Sequence, residues 1–364
     1  MIRTLKARSA TSGAMLAAGL VVLFLSACRS LGPGAIRATR TDYNLAMRQT
    51  EDEQLLLNLV RLRYRDSPLF LEVGALNTQF TFSGSVNTST EIGDGDDVFS
   101  LGGRVLAEEK PTVTYSLLRG ESFVERLLTD IPLETLFLLG SSGWSSGRVF
   151  RTCVQRMNGL RNAPRASGPT PTQVPVFEGF VQATELMREL ELADMMYAGR
   201  VSEDRLTLQF HPEAESMPEY LEFMQALGLD PGARSYSLLR ARQTSGSKSV
   251  HLFTRSFLGI LYFLSHAVDV PEDDVERGHV TVTYDADGEP FDWMQVTEGL
   301  LRIHSSNKRP RHAAVAVSYR DSWFYIDDAD LDSKSTFLML GQIFSLQAGS
   351  ARMAMPMLTL PIGS

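Results

Sequence analysis

The hydrophobic period of the chain changes at Pro68, and that change decides what it can build. Before it, Leu55, Leu56, Leu59, Val60 and Leu62 recur at helical spacing, and Asp42 is placed to cap a helix running to about Tyr64. Asp66-Ser67-Pro68 ends that helix. After it, 69–88 and 98–117 are rich in β-branched and aromatic residues, and Thr112–Tyr115 alternate. Gly93-Asp94-Gly95-Asp96-Asp97 lies between them, so the pair predicts a long β-hairpin with an acidic tip.

Helices and strands continue to interleave. Helices are expected near 120–129, 132–141, 146–158, 177–197, 217–227, 255–268 and 333–347. Strands are expected near 205–210, 235–242, 248–252, 279–284, 313–319 and 322–327, with a last one at Met355–Leu360. This mixture points to an α+β fold. Residues 161–175 hold four prolines and read as a linker. The expected organisation is an α+β domain over 42–160, the linker, and a second α+β domain over 176–364. Of the 364 residues 43% are apolar and 21% charged, as in globular chains. A net charge of −8 argues against nucleic acid as a partner.

The N-terminus carries Arg3, Lys6 and Arg8 without an acid, then an apolar run from Ala14 to Leu25. That run is too short to span a bilayer as a helix and suits a signal peptide. Leu25-Ser26-Ala27-Cys28 resembles the lipobox of bacterial lipoproteins. The resemblance implies removal of the signal peptide 1–27 and lipidation of Cys28, palmitate included, with 28–41 as a tether. Arg29 rather than Asp after the cysteine implies sorting to the outer membrane, facing the periplasm. Gln54–Ser67 and Trp323–Lys334 are also similar to Gram-negative lipoproteins without an assigned function. Loss of 1–27 would move the charge from −8 to −11. Cys28 and Cys153 are the only cysteines, so a lipidated chain forms no internal disulfide. Cys153, in an apolar run, is expected to be a buried thiol.

Chemical motifs are few. Gly143-Trp144-Ser145-Ser146-Gly147 matches the G-x-S-x-G pattern of hydrolase elbows, which need a strand before the serine and a helix after it. The preceding residues favour a helix end, with Ser145 capping the next helix; Ser145 as the nucleophile of an envelope serine hydrolase remains the alternative. Asp328, Asp330 and Asp332 resemble the start of a calcium loop, but Ser333 and Met339 occupy positions that need Gly and Glu. Asp332 is expected to cap a helix instead, and Asp285–Gly288 to form a turn. No zinc spacing, phosphate loop or dinucleotide fingerprint occurs, so no metal or cofactor is expected.

Charge is distributed unevenly. Arg148, Arg151, Arg156, Arg161 and Arg165 follow one another without an acid, and 269–292 hold nine acids. The arginines are candidate contacts for phosphate groups of lipid or glycan, or for an acidic protein partner. Trp323-Phe324-Tyr325 cannot share one strand face, so the strand is expected to be covered on both sides. The reading is a lipid-anchored envelope protein, more a binding or assembly factor than an enzyme, joined to the membrane through Cys28.

Overall fold

The computed structural model describes residues 41–91, 98–117, 121–169, 173–202, 205–240 and 246–349; for 72–117 it describes the backbone alone. The lipobox, the acidic tip at 92–97 and the expected strand at 355–360 lie outside these residues. The chain divides into two compact units, 1–53 and 54–364. In the first, the described part is helical, and Arg48 and Asp52 pair along it at 3.3 Å.

The fold of 54–364 is α+β. Helix α1 runs over 41–63 and starts one residue before the expected cap Asp42. Its stripe Leu55, Leu56, Leu59, Val60 and Leu62 is buried. Two side-chain amides one turn apart on α1 then hold the outgoing chain. Asn58 accepts from Leu69 N (2.8 Å) and donates to Leu69 O (2.9 Å). Gln54 does the same at Leu71, at 2.6 and 3.0 Å. The amides act as a substitute strand where the chain straightens.

From there β1 (Leu71–Glu91) and β2 (Val98–Leu117) form the antiparallel hairpin, with one bulge between Val73 and Ala75. Three helices follow: α2 (Glu121–Leu128), α3 (Leu133–Ser141) and α4 (Ser146–Cys153). The helix expected over 146–158 ends at Cys153, because β3 (Val154–Met157) and β4 (Leu160–Arg161) take over. Helix α5 (Glu178–Leu192) also stops short of 197, and Met196 opens β5 (Met196–Ser202). Then come β6 (Arg205–Phe210), α6 (Pro218–Leu227), β7 (Ser235–Arg240), β8 (Ser249–Thr254) and α7 (Phe257–Ser265). Gly228 closes α6 at φ +64°, a left-handed stop suited to glycine.

A six-stranded sheet has the order β4-β3-β8-β7-β6-β5. The strands on either side of Gly246, β7 and β8, are neighbours and run parallel, so they do not form a hairpin. The boundary expected at 161–175 falls inside the unit 54–364. Strand β3 pairs with β8 from beyond it, and one continuous core runs from Leu55 to Ile343. Strand pairing across the proline-rich segment outweighs its linker-like composition.

The C-terminal part adds α8 (Glu272–Glu276), α9 (Met294–Thr297), β9 (His304–Ser306), β10 (Ala313–Tyr319), β11 (Ser322–Asp327) and α10 (Leu331–Gly349). The strand expected at 279–284 is absent; only the bridge Tyr284–Pro290 closes the Asp285–Gly288 turn. Asp285 Oδ1 accepts from Asp287 N and Glu289 N there, both at 2.9 Å. Strand β11 buries Ser322, Phe324 and Ile326 and leaves Trp323 and Tyr325 half-exposed, so burial is one-sided. Arg309 lies over Trp323 and His304 beside Tyr325.

Candidate functional site

The five arginines part company at the junction of α4 and β3. Upstream of it, Arg148 and Arg151 fasten the body together. Arg148 bonds Asp332 Oδ1 (2.5 Å), Asp332 O (2.9 Å) and Thr336 Oγ1 (2.6 Å) at the start of α10. Arg151 donates to Val296 O (3.1 Å) and Glu298 O (2.8 Å). These two are structural, contrary to the expectation that all five face a partner.

Downstream, Arg156, Arg161 and Arg165 come together. Strands β3 and β4 turn tightly at Asn158, whose amide bonds His251 N and Leu227 O. Their register sets Arg156 directly across from Arg161. Arg165 follows on a short 3₁₀ turn, Pro164–Ser167, and bonds Gln173. The three line an open cleft of about 340 Å³, walled by Ala163, Pro164 and Val174–Val176, with no acid in the lining. All three are exposed, and among the described residues none has a carboxylate within ion-pair distance. Like charges directly opposite on a ladder repel by roughly 0.2–1 kcal/mol. An anion held between them would relieve that repulsion, and the planar guanidinium fork suits phosphate and carboxylate.

What holds this loop is Arg255, which sequence reasoning missed. It is fully buried and donates to the carbonyls of Thr152 (3.1 Å), Val154 (2.9 Å) and Asn162, and to Ser167 Oγ (3.0 Å). Its guanidinium lies 3.9 Å from the centre of the Phe263 ring. Burial lowers its pKa to about 9, leaving it charged at neutral pH. Asn162 completes the frame by donating to Arg151 O (2.8 Å) and Val154 O (2.7 Å). The available signal was one arginine inside the apolar stretch Leu252–Leu264.

The chain matches no family model, no curated protein and no solved structure.

The other candidates have ordinary local roles. Ser145 occupies the N-cap position of α4 but its side chain makes no cap hydrogen bond among the described residues, and it is preceded by helix α3 and a turn at Gly143 (φ +90°) rather than by a strand. Among the described residues no histidine bonds it, and Ser146 Oγ is held by Glu191 at 3.1 Å. Behind this turn lies a cavity of about 330 Å³ lined by Leu136, Phe137, Val149, Met187 and Leu208, with Ser146 and Glu191 among its polar lining residues. Asp330, not Asp332, caps α10 through Ser333 N (3.0 Å). Asp328 pairs with Lys334 and Asp332 with Arg148, so the three acids are separately engaged. Cys153 is buried, and desolvation pushes its thiol up to about 12.

Proposed function

We propose that this protein is an outer-membrane lipoprotein facing the periplasm that acts by binding. The cleft of Arg156, Arg161 and Arg165 is its contact for a phosphate-bearing envelope lipid or glycan. One observation carries the reading: three arginines, two of them opposed on a ladder, surround a cleft whose lining has no carboxylate. The lipobox supports the location, and the helix–turn–helix setting of Ser145 favours binding over hydrolysis.

Calorimetric titration of the full chain with pyrophosphate tests the cleft. The expected result is binding that weakens as salt rises and disappears when Arg156, Arg161 and Arg165 are all changed to Gln. Equal binding by the triple variant would overturn it. Acyl labelling tests the anchor separately: labelled palmitate should enter the wild-type chain and not the Cys28→Ser variant, and unchanged labelling in that variant removes Cys28 from the reading.

A further inference from the structure

The hairpin is far longer than its attachment to the body. Its ladder runs from Leu71–Leu117 to Glu91–Val98, about 65 Å at 3.3 Å per residue. Among the described residues neither strand pairs with a third. A two-stranded ribbon is marginal alone in water, and two open edges invite further strands.

The register sorts the outer half into two unlike faces, because alternate residues of a strand belong to opposite sides. One face carries Phe82, Gly84 and Val86 across from Ala107, Val105 and Gly103, then Thr88 and Thr90 across from Leu101 and Phe99. The other carries Ser83, Ser85, Asn87 and Ser89 across from Leu106, Arg104, Gly102 and Ser100. Leu106 is the one large apolar residue in this second set. The first face is free of charge over 82–90 and 99–107, a span of nine residues on each strand, and Glu109, across from Phe80, bounds it at one end. About 9–11 tilted residues carry a strand across a bilayer. Apolar-out, polar-in alternation with a period of two is the pattern of membrane barrels.

We propose that the hairpins of several copies of this chain pair edge to edge into a closed barrel spanning a lipid bilayer. The face of Phe82, Val86, Leu101 and Val105 meets lipid, and the face of Ser83, Ser85, Asn87 and Arg104 surrounds an aqueous lumen. Setting β2 of one copy beside β1 of the next continues the antiparallel order. Closure is required because an open edge in hydrocarbon would leave backbone groups without partners. A barrel of about eight strands, the smallest common size, takes about four copies. No described helix is long and apolar enough to cross a membrane, so the ribbon would be the spanning element. The proposal stands independently of the arginine cleft and of Cys28.

The test uses the full chain with Cys28→Ser and Cys153→Ser, single cysteines at 82, 86, 101 and 105 or at 83, 85, 87 and 102, and an environment-sensitive fluorophore on each. Vesicles of phosphatidylethanolamine and phosphatidylglycerol are added. Lipid-borne quencher should act on the first set and aqueous quencher on the second, and entrapped dye should escape. Val86→Asp should abolish dye release while Ser85→Asp retains it, with unchanged circular dichroism in both. Quenching without a period of two, or a period of two without dye release or a cross-linked oligomer, would overturn the proposal.

Discussion

The guanidinium of Arg255 donates to the backbone carbonyl of Asn162, and the side-chain amide of Asn162 donates to Val154 O, which Arg255 also holds. Two residues 93 positions apart thus fix the loop that presents the arginine cleft. Asn162→Ala removes two hydrogen bonds at about 0.5–1.5 kcal/mol each, while Arg255 still donates to both carbonyls. Urea denaturation should show a loss of about 2 kcal/mol, and pyrophosphate binding should weaken with every cleft arginine present. Unchanged stability would mean the frame is dispensable.

The opposed pair Arg156 and Arg161 should set stability against binding. Arg161→Gln removes a like-charge contact and should leave the free protein as stable or more stable, by up to about 1 kcal/mol. The same change should lower anion affinity. Thermal unfolding with and without pyrophosphate reads both, and a variant that loses stability while keeping affinity contradicts the assignment.

Histidine 266 should make the fold sensitive to acid. It is stacked on Trp293 with ring centres 4.0 Å apart, neither ring nitrogen has a partner among the described residues, and burial lowers its pKa to about 3. Above pH of about 6.5 the ring is neutral in both folded and unfolded chains and contributes nothing. Below that, the unfolded chain takes up a proton that the folded chain refuses, so stability falls by about 1.4 kcal/mol per pH unit towards pH 3. His266→Phe keeps the stack and should flatten the decline between pH 6.5 and 5, measured by urea unfolding.

The Cys153 thiol should resist alkylation. With its pKa pushed up to about 12, the thiolate fraction at pH 8 is about a thousandfold below that of an ordinary cysteine. Iodoacetamide should label Cys153 only after denaturation. Fast labelling of the native protein would show that the core opens there.

Much of the fold is legible in the sequence where one element carries its own pattern. The stripe on α1, the hairpin, the stop of α6 at Gly228 and the β10–β11 pair need only local information. Strand β3 does not announce itself, because it continues the apolar run of α4, and β5 follows α5 after only Ala193–Met195, with no glycine or proline to mark the break. What makes Val154–Met157 a strand is β8, almost a hundred residues away. The site follows the same logic. The five arginines are legible as a run, but the change from helix to strand after Cys153 decides that only the last three meet. Asp330 rather than Asp332 became the cap because α10 begins at Leu331, two residues before the expected start at Ser333.

The amides of Gln54 and Asn58 give the ribbon a mechanical footing. Each bridges the strand sideways, at residues 69 and 71. A pull along the hairpin therefore loads four bonds together in shear instead of unzipping them one by one. Tension at the far end of the ribbon would be delivered to helix α1 as a sideways tug on two adjacent turns.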